Sequence, residues 1–162
     1  MKTVLSILIT IAAISCQAQQ KLTSYFLINA GYTNWNGNYG KLGGDLYLVQ
    51  PNDNIIDFSA VANMGYMQDK FVVIPEISVG YMFNFYRKKS DPYSQNFRSS
   101  FYTVGVNASP WTVSPEIGIA VLSLLEFNAG YAFQFRDYDD FKSLEGLRFG
   151  LTIHLPTQLF AD

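Results

Sequence analysis

Charged side chains make up only 15% of this 162-residue chain, and several stand singly between small or apolar neighbours. Asp45, Asp57, Glu76, Arg98, Glu116, Glu126 and Arg148 are of this kind. A charge taken out of water must be paired or must change its protonation. Such a set has two uses: a relay for protons or ions, or a group of structural ion pairs that plugs an interior. Acids outnumber bases in it, so at least one Glu is expected to be protonated or met by water.

His154 is the only histidine. Nucleophilic catalysis would need a hydroxyl or an acid beside it, but Pro156 stands two positions on, with no hydroxyl there. The plainer reading is an interior histidine satisfied by hydrogen bonds. Asp137-Tyr138-Asp139-Asp140 offers oxygen ligands for a divalent cation, yet lacks the spacing and the glycine of a calcium loop. It reads as a solvated acidic loop. Trp35, Tyr39, Trp111 and Tyr138 fall in turn-rich stretches and are the candidates for contact with a glycan or a protein, or for plain interfacial anchoring. No phosphate cradle, metal-ligand cluster or catalytic triad spacing occurs, so no catalytic residue, metal or cofactor is expected. The net charge of −2 gives no basic footprint for nucleic acid.

The elements that must position these residues follow from a period of two. From Phe71 to Phe85 the odd positions are almost all apolar, while Glu76, Ser78, Gly80 and Asn84 lie among the even ones. The same alternation runs over residues 125–136 and 147–155. Weaker versions cover residues 26–32, 45–48, 56–66, 102–107 and 113–121. Strict alternation marks β-strands with one apolar face, and turn-rich pieces separate them: 34–40, 50–54, 68–70, 89–96, 107–111 and 137–142. That gives about eight strands and no helix. Ile74-Pro75-Glu76-Ile77 is echoed 40 positions later by Ser114-Pro115-Glu116-Ile117. A proline removes a ladder donor, so a bulge is expected at Pro75 and at Pro115.

The N-terminus has a different character. Lys2, an apolar run over residues 4–14 and small residues before Gln17 form a secretory signal, with cleavage expected after Ala18. Residues 1–18 are thus the signal peptide and 19–162 the barrel domain. Cys16 is the only cysteine, which leaves the mature chain without a disulfide. Acylation at Cys16 is the alternative, although Ala13 stands where a lipoprotein signal usually has a larger aliphatic residue.

Three observations set the direction of the apolar face. Its many Phe, Tyr, Leu and Ile residues exceed what an eight-stranded lumen holds, whereas the Gly, Ala, Ser, Thr and Asn of the other face fit. Lys21, Lys41, Lys70, Lys88, Lys89 and Lys142 all fall at strand ends or in turns. Aromatics gather near strand ends as well: Tyr32, Trp35, Tyr66, Phe71, Phe133 and Phe135 towards one rim, Tyr81, Phe83, Phe85 and Tyr86 towards the other. This is the girdle of a membrane barrel. The expected fold is therefore all-β: a closed antiparallel up-and-down transmembrane barrel in the bacterial outer membrane, in contact with its lipid. Asp45, Glu76, Glu116 and Arg148 then share one depth in the lumen, and Asp57, Arg98 and Glu126 meet nearer the inner end.

Arg148-x-Gly150-x-x-Ile153-x-Leu155 resembles the C-terminal signal of the small OmpA/OmpX-type outer-membrane barrels, with aliphatic residues where aromatics are usual. The resemblance extends over most of residues 19–162. It implies a barrel assembly machinery as partner during biogenesis. The role expected of the chain is non-enzymatic, structural or adhesive, exerted through exposed loops. Two alternatives remain: a lipid-modifying enzyme, or a soluble or lipid-anchored periplasmic barrel carrying an apolar ligand.

Overall fold

The computed structural model describes residues 22–84, 100–137 and 142–157. Eight strands run through them: β1 (Thr23–Trp35), β2 (Asn38–Val49), β3 (Ile55–Met67), β4 (Lys70–Asn84), β5 (Ser100–Ala108), β6 (Thr112–Val121), β7 (Leu125–Gln134) and β8 (Gly146–Pro156). Each pairs antiparallel with the next, and β8 returns to β1, closing the barrel. In the closing ladder Leu27 faces Pro156 and Trp35 faces Arg148. Eight antiparallel strands follow directly from the alternation, because only an extended chain puts successive side chains on opposite faces.

The outer wall is apolar on every strand. Phe26, Leu42, Phe58, Ile77, Tyr102, Ile117, Phe127 and Leu147 are exposed, one from each of β1 to β8. The inner wall carries the polar and charged side chains, among them Asn29, Asp45, Glu76, Ser114, Arg148 and His154, all buried. Both ends of the lumen are closed by apolar layers. At the end where β1 begins and β8 stops, Leu27, Tyr47, Ile55, Met82, Phe101 and Ala120 pack together. At the far end Trp35, Tyr39, Met67, Val72, Ile74, Ala132 and Leu144 do so.

The far rim has short turns. Residues 68–69 join β3 to β4, and Gln68 and Asp69 both have positive φ (49° and 62°). That is the backbone of a two-residue primed turn, whose twist matches the strands it joins. Residues 36–37 join β1 to β2, with Asn36 at φ 48°.

Four expectations change. The stretch 34–40 is mostly strand, because the turn tightens onto Asn36-Gly37. Gly40, Gly43 and Gly44 carry no side chain to show an alternation, which hides the first half of β2. Lys41 consequently lies inside a strand, and its Nζ reaches inward to Thr152 Oγ1 at 3.3 Å. Neither proline makes a bulge. Pro75 pairs in register with Ala62 of β3 and lies beyond the β4–β5 ladder, which begins at Ile77↔Ala108. Pro115 interrupts the β6–β7 ladder, which resumes at Glu116↔Gly130 in the register it held at Val113↔Phe133. The missing donor leaves a gap in the hydrogen bonding and adds no residue.

The segment before β8 closes the far mouth. Trp35 Nε1 donates to the Leu144 carbonyl at 2.5 Å, and the Asn36 amide donates to the carbonyls of Ser143 and Glu145. Gln134 Oε1 accepts from the Leu144 N–H at 2.7 Å. Gly146 then enters β8 at φ 146°, where an added Cβ would lie 3.2 Å from the Asn36 amide. Gly146→Ala is expected to lower stability by about 1–3 kcal/mol, read as a shift in the midpoint of equilibrium unfolding.

Candidate functional site

The lumen charges form two groups held by different strands. In the first, Arg148 of β8 sits between two glutamates. Its Nη1 and Nη2 donate to Glu76 Oε2 and Oε1 at 2.5 and 2.7 Å, a bidentate fork that suits the planar guanidinium. Its Nε lies 2.7 Å from Glu116 Oε1, within ion-pair distance but not aligned as a hydrogen bond. The Trp35 ring covers the guanidinium, with Cζ 4.9 Å from its centroid. The Pro-Glu echo in the sequence has a structural counterpart here: its two glutamates are the two acids on Arg148.

In the second group, His154 of β8 stands between two carboxylates. Nδ1 is 2.6 Å from Asp45 Oδ2 and Nε2 is 3.2 Å from Glu126 Oε2. Ionised carboxylates only accept, so both contacts are hydrogen bonds when the ring carries both its protons. Asp45 also accepts from Asn29 Nδ2 at 2.6 Å. The Tyr47 ring lies against the imidazole, 5.6 Å between centroids. A cavity of about 40 Å³ adjoins this group, lined by Asn29, Lys41, Asp45, Asp57, Ser59, Thr103, Glu116, Glu126 and His154 among others.

Sequence reading and structure agree on the inward direction of Asp45, Asp57, Glu76, Glu116, Glu126, Arg148 and His154. The grouping differs in one place. Asp45 shares His154 with Glu126, each on its own ring nitrogen, and Glu76 and Glu116 share Arg148 without it. Depth counted from strand ends misplaces Asp45 because β2 begins earlier than its glycines reveal. Arg98 lies outside the described residues.

The aromatic contact candidates divide further. Trp35 and Tyr39 are buried, at 0% and 1% exposure, inside the far apolar layer. They are neither loop contacts nor part of a girdle. The parity of β1 carries this signal, since Leu27, Asn29 and Thr33 are inward and Trp35 continues their series. Trp111 is partly buried against the same layer, and Tyr138 lies outside the described residues, as do Asp139 and Asp140. Tyr32, Tyr66, Phe71, Phe133 and Phe135 are exposed near the far rim. Tyr66 and Phe71 pack edge to face there, 5.6 Å between centroids. Lys41 is the lumen residue that the sequence reading missed.

Among the described residues no three His, Cys, Asp or Glu side chains are grouped so as to hold a metal ion. No protein-family model matches the chain, and no curated protein matches it.

The two-acid clamp on Arg148 makes a quantitative demand. Arg148→Met removes the cation and leaves Glu76 and Glu116 buried without it, a loss expected at about 3–5 kcal/mol. Adding Glu76→Gln and Glu116→Gln to that variant removes the uncompensated charges and is expected to restore most of the loss. Equilibrium unfolding of the single and the triple variant measures both.

Proposed function

We propose that this protein is a bacterial outer-membrane β-barrel with a plugged lumen, and that its part is structural or adhesive rather than catalytic. The observation that carries the reading is the partition between the faces: apolar side chains outside on all eight strands, charges and amides inside. A soluble monomer rarely exposes a contiguous apolar patch of more than a few hundred Å², whereas a belt of this kind is what hydrocarbon requires. Closure of the ladder removes open edges from seven of the strands' junctions in turn and from β8 to β1, as a lipid environment demands. The signal-like residues 1–18 and the β8 motif around Gly150 fit export followed by assembly into that membrane.

The rival readings have less support. A barrel that carries an apolar ligand needs an apolar interior, but this lumen is polar through its middle and holds a cavity of about 40 Å³. A lipid-modifying enzyme that used His154 as a base would need a free ring nitrogen, and both nitrogens face carboxylates. The apolar layers at both ends argue for a plug over a conduit. Contact at the far rim would run through the turn at Trp111 and the 135–145 connection, because the turns at 36–37 and 68–69 are too short to reach a partner.

The outer wall gives the test. Ile117 is mid-strand in β6 and 68% exposed. Ile117→Lys is expected to cost about 2–4 kcal/mol when the barrel is folded in phospholipid vesicles, the penalty of a lysine near the bilayer midplane. A change within about 0.5 kcal/mol, the usual size for an exposed position in water, would overturn the membrane reading.

A further inference from the structure

The cavity beside His154 has a charge imbalance that its own side chains do not resolve. His154 with both protons and Lys41 are the cations that line it, and Asp45, Glu126 and Asp57 are the carboxylates around that histidine. Asp45 and Glu126 are engaged by His154. Lys41 Nζ is bonded to Thr152. Glu116, also in the lining, pairs with Arg148, which it shares with Glu76. Asp57 is 8% exposed, and its Oδ1 has no hydrogen-bond partner among the described residues. Asn29, fully buried, has its Oδ1 in the same condition, its Nδ2 being used on Asp45 and Ser59. Two residues that line one small polar space thus each carry a buried acceptor oxygen without a donor.

We propose that this space is a binding site for a single hard monovalent cation of the sodium class, held by Asp57 and the Asn29 carbonyl with water completing its shell. Each part of the assignment has a physical reason. The free atoms are oxygens, which select hard cations over soft ones. Asp57 is the carboxylate of this lining that has no ion pair among the described residues, so a single positive charge is what it lacks. A volume of about 40 Å³ exceeds the 10–15 Å³ or so that one water needs, and it excludes a bulky organic cation. The site is a property of the lumen and does not depend on what surrounds the barrel.

The test compares unfolding of the purified barrel in sodium chloride and in choline chloride at equal ionic strength. Sodium is expected to raise the ratio of folded to unfolded protein by on the order of tenfold once it exceeds its dissociation constant by about that factor. Asp57→Asn removes the charge and is expected to abolish the difference between the two salts. Gly80→Ala is a second variant that intrudes on the chamber without a clash. Its Cβ would lie 3.7 Å from Asp57 Cβ and 3.8 Å from Oδ2, ordinary contact distances. It is expected to weaken the sodium dependence even if Asp57→Asn does not fold. Equal stability of the unaltered protein in both salts would overturn the proposal and leave water or a proton as the occupant. A sodium effect that both variants retain would place the ion elsewhere and overturn it equally.

Discussion

Arg148 is the side chain on which the interior depends. It reaches from the closing strand β8 to Glu76 of β4, on the opposite side of the barrel, and to Glu116 of β6. A buried arginine is tolerable only with its charge met: Glu76 takes a donor from each of Nη1 and Nη2, and Glu116 lies at ion-pair distance from Nε. Three strands far apart in sequence are thereby held at one register. The Trp35 ring covers the guanidinium and its indole N–H holds the Leu144 carbonyl, so the apolar layer at the far mouth is built upon the ion pairs below it.

The order of the lumen follows from this arrangement. Apolar layers lie at the two ends, and the charges sit between them, most of them buried. Charges buried in this way act strongly on one another, because little solvent screens them. They fix which strand lies at which height, an outcome that alternation by itself leaves free. The same burial turns attention from the lumen to the outer wall and the rims as places where this protein meets other molecules.

Much of this was legible in the residues. Period-two alternation located eight strands, and parity placed Glu76, Glu116, Glu126, Arg148 and His154 inside. Where a strand lacks side chains the signal fails: Gly40, Gly43 and Gly44 concealed half of β2, and with it the inward position of Lys41 and the true depth of Asp45. Trp35 shows a different loss. Its parity pointed inward, but an aromatic at a strand end resembles an interfacial anchor, and composition overrode geometry. Which acid pairs with which base depends on the stagger between strands. That is set by closure of the whole barrel, so no local stretch of sequence carries it. The prolines mark a further limit, since a missing donor can be absorbed beyond the end of a ladder or as a gap within it, without a bulge.

The account rests on the apolar face being the outer face and lying in lipid. The most direct test is the electrophoretic mobility of the protein from outer-membrane fractions in detergent, boiled against unboiled. A closed barrel that resists detergent stays compact until heated, so the unboiled band is expected to run ahead of the boiled one. Equal mobility, with the protein recovered in the soluble fraction without detergent, would contradict the account.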